Sequence, residues 1–297
     1  MDRAIIIGAF GFLGFSVCQA MLDEGIEVNA ISVSDEPDLL TEEKRMEIGR
    51  NANFFEDEKW IINGENERKK IPIIIPICDY YIQEKESLLF ENPFLKEELV
   101  TLSPEYYSVT LLLPEQLIRE DASNQQQLVR FQNRLNEKGF SLTEVLVPTL
   151  FGPWQPEVCY FQQMISLEGK KKETPTLNPR ESVKDAVYIT DAASVVMGLL
   201  DEAQPGKYMI LSGKEDSWFT CLDVIYNSFF ISMDIPDKGL GWLSDIQTMI
   251  KSSETLEEPR MVGDDYNRIY VQEPMDLLSG LEEQRKEYFR LLKEKLD

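Results

Sequence analysis

The 297-residue chain exceeds the usual size of one hydrophobic core, and its 43% hydrophobic and 28% charged fractions are those of a folded globular protein. A formal charge of −23 opposes binding to a nucleic-acid backbone, which needs a positive surface. The absence of histidine removes Ser-His-Asp and Cys-His machinery, HExxH zinc sites and imidazole bases together.

No apolar run approaches the length that crosses a bilayer, and the start "MDRAIIIGAF" lacks a basic leader, so a cytoplasmic location without membrane contact is expected. Cys18, Cys78, Cys159 and Cys221 are widely spaced in apolar settings and form no CxxC pair, which predicts buried reduced thiols and no metal site.

In chain order, Ile5–Ile7 is an apolar strand, a glycine turn follows, and Val17, Ala20 and Met21 fall at helical spacing before Gly25. Residues 26–33 are a second strand. Residues 34–70 are polar, with a short strand at "ANFF"; "IPIIIPICDYY" (71–81) is a buried strand with two awkward prolines. A strand at 106–114 is followed by a helix over 115–139 carrying Leu117, Leu128, Phe131 and Leu135 at helical intervals. "SLTEVLVPTLFGP" (141–153) is the next strand. Beyond it, "DAVYITDAASVVMGLLDEA" joins a strand to a helix, "GKYMILSG" is a strand, "FTCLDVIYNSFF" a helix, and "LEEQRKEYFRLLKEKL" an amphipathic helix. Strands alternating with helices indicate an α/β chain with a parallel, doubly wound sheet.

Gly8, Gly11 and Gly14 form GxxGxxG between strand and helix. Gly8 permits the tight turn, Gly11 lets amides approach a pyrophosphate, and Gly14 lets helix and strand pack closely. Free N–H groups and the positive dipole end of the helix favour an anion there. Expected cofactor contacts are Gly8, Phe10, Gly11, Phe12, Leu13, Gly14 and, on the ribose side, Ser32. The acidic residue that should grip the adenosine ribose is missing: its place falls near Ser32 and Val33, with Asp35 beyond, so neither NAD nor NADP is selected.

These landmarks resemble the extended short-chain dehydrogenase/reductase family, the NAD-dependent epimerase/dehydratase group. "GAFGFLG" is similar to its opening turn and "PTLFGPWQP" (148–156) to its proline–YGP segment, with Phe151 for Tyr. "VKDAVYITDAASVVMGLLD" (183–201) resembles its arginine–aromatic–YVDDVA stretch, with Lys184 for the arginine and Asp191 for the aspartate. "EPMDLLSGLEEQRKEYF" follows its closing helix. The resemblance implies a Rossmann dinucleotide-binding domain over 1–153 and a smaller C-terminal substrate region over 154–297, with 183–213 returning to the first sheet. It also implies substrate contacts at Trp154, Gln155, Lys184 and the lysines at 170–172, and a homodimer through the helices after strands four and five.

The family's chemistry uses a Tyr-x-x-x-Lys helix after strand five, whose lysine lowers the tyrosine pKa for proton transfer. Here the tyrosine position falls at Glu120 or Asp121 and the lysine position at Asn124 or Gln125; residues 108–137 contain neither residue type. Pro114 and Glu115 replace the hydroxyl residue at the strand end. "YIQEK" (Tyr81 to Lys85) matches the motif too early in the fold. After strand four, "CDYY" replaces the small residues that line the cofactor channel. Three readings follow: a non-catalytic protein binding a nucleotide or small molecule, an enzyme using Glu115, Glu120 or Asp121 as substitute acids, or a protein that has lost nucleotide binding, with Phe10, Phe12 and Phe15 filling the phosphate site.

Overall fold

The computed structural model describes residues 1–33, 39–56, 70–118, 122–167, 175–202, 204–230 and 265–294. Strands β1 (Arg3–Ile7), β2 (Glu27–Ile31), β3 (Phe54–Glu56), β4 (Ile71–Pro76), β5 (Tyr107–Pro114), β6 (Ser141–Val147), β9 (Lys207–Leu211) and β10 (Asn267–Tyr270) form one sheet, with β7 (Thr149–Phe151) and β8 (Ala186–Tyr188) as a separate pair. The large sheet runs β10-β9-β6-β5-β4-β1-β2-β3, and every pairing in it is parallel. The described α-helices are α1 (Phe12–Asp23), α2 (Leu39–Ile48), α3 (Ile77–Tyr81), α4 (Glu86–Glu91), α5 (Ala122–Lys138), α6 (Tyr160–Ser166), α7 (Ile189–Glu202), α8 (Ser217–Ile225) and α9 (Leu277–Glu294). This is the Rossmann-like α/β fold that the alternating pattern implies.

A parallel sheet is covered on both faces, so its strands are nearly continuous apolar runs whose residues alternate between two cores. Ile6, Ile74, Leu112 and Val145 face the core shared with α1, α6, α7, α8 and α9. Their neighbours Ile5, Ile73, Ile75, Leu111, Leu113 and Leu146 face the core under α5 and the segment before β5. The chain leaves β1 toward β2 and β3, then returns to β4 on the other side. The crevice between the carboxyl ends of β1 and β4 is therefore the topological switch point, where such folds hold ligands.

Several sequence expectations are corrected. The run over 71–81 is a strand only to Pro76 and then turns into α3. Ile71 donates its N–H to Tyr106 on the β5 side, so Pro72 faces β1 before their paired register begins at Ile73. Both prolines thus avoid a ladder position that needs an N–H. The run over 141–153 splits at Pro148: β6 stays in the large sheet, and β7 leaves to pair with β8. The expected helix over 115–139 is a single 3-10 turn at Glu115–Ile118 followed by α5. The polar stretch after β2 contains α2, and α6 and β10 had no clear periodicity to announce them. Among the described residues, no helix is long and apolar enough to cross a membrane.

Trp218 on α8 is fully buried, with ring centroids 5.3 Å from Phe161, 5.7 Å from Tyr160 and 5.2 Å from Phe219. Trp218→Ala is expected to cost about 3–5 kcal/mol of stability, seen as a lower denaturant midpoint at an unchanged slope.

Candidate functional site at the glycine turn

Gly8 takes a left-handed φ of +81° that lets β1 turn sharply into α1, and its N–H donates to Ile31 at 2.8 Å. Gly11 caps α1 without any side-chain bond of its own. The free amides at this helix start are instead met from across the sheet. Leu13 N–H donates to Asp79 Oδ1 and Gly14 N–H to Asp79 Oδ2, each at 2.9 Å. Asp79 stands on α3, just past β4, and is 4% exposed. Burial pushes its carboxyl above the ordinary value, while the two amide bonds and the Lys44 charge pull the other way.

The neighbouring space is filled from the same segment. A Cβ at Gly11 would collide with the Asp79 carboxylate, and one at Gly8 with the Tyr80 ring and hydroxyl. Behind the turn, Lys44 of α2 is 4% exposed and its ammonium donates to the carbonyls of Phe10 and Gly11, both at 2.9 Å. The turn therefore contains an anion and a cation of the chain's own. The side of the turn that the resemblance assigns to a dinucleotide pyrophosphate holds Asp79 and Tyr80, and the residues present do not fit that group.

The three phenylalanines do something else. Phe10 packs edge-on against Phe54 beneath the Arg45 guanidinium, Phe15 packs edge-on against Trp154, and Phe12 is buried beside Asp79. These contacts are ring packing, and the side chains that come up against Gly8 and Gly11 are those of Tyr80 and Asp79 from "CDYY". Toward the ribose side, Ser32 Oγ donates to Glu56 Oε1 at 3.3 Å, and Arg45 pairs with the same carboxylate at 2.6 Å. Asn92 Nδ2 donates to the Ser32 carbonyl at 2.9 Å. Asp35 lies outside the described residues.

At the carboxyl ends of β4, β5 and β6 a cavity of about 60 Å³ remains, lined among others by Phe12, Asp79, Pro114, Pro148, Arg180 and Glu181. That is room for a few waters. Glu115, next in the chain to the lining residue Pro114, is buried and accepts from Ser182 Oγ of the cavity wall at 3.1 Å. Glu120 and Asp121 lie outside the described residues, as do the lysines at 170–172. Arg180 bridges the cavity rim, donating to both Glu86 oxygens at 2.8 and 3.0 Å and to the Tyr81 carbonyl at 2.9 Å. Tyr81 of the misplaced motif is buried under this guanidinium, 4.7 Å from ring centre to Cζ.

Glu181 is 6% exposed; its Oε2 accepts from Tyr160 N–H at 2.8 Å. Its Oε1 is buried without a hydrogen-bond partner, with the Trp218 indole beside it outside hydrogen-bond geometry. Burial pushes this carboxyl up to about 7. The four cysteines are buried free thiols; burial pushes those of Cys18 and Cys221 up to about 12, which leaves them unreactive.

The expected substrate contacts are not gathered at this cavity. Gln155 is buried, donating to the Leu150 carbonyl at 2.6 Å and accepting from Gln284 at 2.6 Å. Gln284 in turn accepts from Gly152 N–H at 2.9 Å, so this pair fastens α9 to the loop after β7. Trp154 lies between Phe15 and Arg290, and Lys184 is exposed to solvent. Asp191 accepts from Met275 N–H at 2.8 Å, a structural bond ahead of α9. Among the described residues no cluster of His, Cys, Asp or Glu could hold a metal ion.

Sequence reasoning marked "CDYY" as a departure but missed what Asp79, Lys44, Arg180 and Glu181 do. A charged residue three places past a buried strand was the available signal for Asp79; the other three carried none.

No protein-family model matches the chain. Protein YjaV of Bacillus subtilis (strain 168) is 39% identical over 57 residues, which are 18% of this chain and 31% of YjaV, so the match spans about a third of that relative. Among solved structures, dTDP-glucose 4,6-dehydratase of Bacillus anthracis in complex with NAD superimposes with a TM-score of 0.60 at 13% identity, covering 98% of this chain and 97% of the other. UDP-glucuronic acid 4-epimerase of Bacillus cereus, bound to UDP-glucuronic acid and NAD, gives 0.62 at 12% identity over 97% and 99%. UDP-glucose 4-epimerase of Thermotoga maritima gives 0.54 at 13% identity over 98% and 99%. At these identities the likeness shows the fold.

Because the folded chain holds the Glu181 proton up to about pH 7 and the unfolded chain releases it near 4.5, this group's stabilisation is complete below about 4.5. It is lost as pH rises through 7, a change of about 3 kcal/mol in order of magnitude. Glu181→Gln is expected to flatten that fall, checked by urea unfolding at several pH values.

Proposed function

We propose that this chain is a catalytically silent protein on the fold of NAD-dependent epimerases and dehydratases, serving as a binding or interaction protein in place of a hydride-transfer enzyme. The observation that carries the reading is the segment following β5. Residues 108–137 supply neither tyrosine nor lysine, and the strand end presents Pro114 and a Glu115 already engaged by Ser182. Without a phenol, and an ammonium to lower its pKa, the proton partner of hydride transfer is missing. The cavity at the carboxyl ends of β4, β5 and β6 agrees, since its volume of about 60 Å³ among the described residues is well below that of a usual ligand pocket.

The competing reading is an enzyme whose substitute acids are Glu115, Glu120 and Asp121. Loss of the usual general acid costs on the order of 10²–10⁴ in rate, so such an enzyme would be slow but measurable. Self-association through the helices after β4 and β5 belongs to the proposal as well: Leu88 on α4 and Val129 on α5 expose apolar side chains there.

The test is an assay of the purified protein with NAD or NADP and UDP-glucose, UDP-glucuronic acid or dTDP-glucose. No change in nicotinamide absorbance and no new sugar by NMR, above a protein-free control, is the expected outcome. Sustained turnover of any of these substrates would refute the reading.

A further inference from the structure

We infer that Asp79 is an internal substitute for the phosphate anion of the glycine turn, so that the folded chain binds its own carboxylate where a dinucleotide would place its pyrophosphate. A carboxylate with two oxygens takes two adjacent amides at the start of a twelve-residue helix, each bond 2.9 Å long. That is the recognition a phosphate receives at such a helix start. The room that Gly11 leaves open is taken by this same carboxylate, and the room at Gly8 by Tyr80. Lys44 completes the arrangement, since its charge acts on Asp79 while its ammonium holds the carbonyls of Phe10 and Gly11.

The intact GxxGxxG motif is explained without a cofactor. Gly11 is needed because Asp79 comes so close. A second anion cannot share the two N–H groups, and like charges a few ångströms apart in a buried site repel strongly. A phosphate ligand would have to expel Asp79 and leave it buried and unpaired. The inference concerns binding and is separable from the absence of turnover: uptake of NAD without reaction defeats it and leaves the proposed function standing.

The experiment titrates wild type and Asp79→Ala with inorganic pyrophosphate, ADP and NAD by calorimetry and by thermal unfolding, at ionic strength matched with sodium chloride. Wild type is expected to give no saturable heat and no thermal shift with any of the three. Asp79→Ala is expected to melt below wild type and to bind pyrophosphate and ADP at least about tenfold more tightly than wild type. Its midpoint then rises by roughly 5 °C at a hundredfold excess over the dissociation constant. Saturable binding of ADP or NAD by wild type overturns the inference, and so does a folded Asp79→Ala that answers no anion. Should Asp79→Ala not fold, Asp79→Ser, which removes the charge and shortens the side chain while keeping a hydroxyl, undergoes the same titration with the same two outcomes.

Discussion

The carboxylate of Asp79 on the first amides of α1 ties together the two halves of the sheet at the place where the chain changes direction. One partner belongs to the β1–α1 turn and the other to the segment leaving β4, 65 residues later. It satisfies the start of a helix that has no capping side chain, and it does so from the segment at residues 77–81 where the chain leaves the strand for α3. A buried, charge-assisted contact of this kind is costly to leave half made, because removing either partner strands the other without water.

Around it the molecule is reinforced by short polar bridges between distant segments. Arg180 holds the loop before β8 to the end of α3 and the start of α4, Gln284 holds α9 to the loop after β7, and Asp185 gathers Ala186, Ser212 and Ser217. Each joins parts of the chain that converge over the carboxyl ends of the strands, where enzymes of this fold keep an open cleft. In this protein those ends are stitched. The Asp79 contact at the switch point and the lack of tyrosine and lysine over residues 108–137 are two independent features of the chain.

Much of the fold was legible because strongly apolar strands and well-marked helix ends leave few alternatives. Ile5–Ile7, the glycine turn, the Gly25 and Gly139 helix stops and the strand before Pro114 all lie where spacing and turn chemistry put them. What went unread has a physical cause in each instance. The helix over 39–48 is polar enough to hide its buried face, having only Lys44 and Ile48 turned inward. The two strands flank Pro148, which has no N–H with which to continue a ladder, and they lie in different sheets. Of the site, the turn was visible and the occupant was not.

The sequence by itself determined an α/β chain with a phosphate-type turn, no histidine chemistry, and no tyrosine or lysine over residues 108–137, because these depend on residue type and local spacing. Tertiary structure alone decided what the turn holds. Partners 65 residues apart in the chain carry no local signal of their meeting, and whether a carboxylate lands on two amides or in solvent is settled only when β1 and β4 lie side by side.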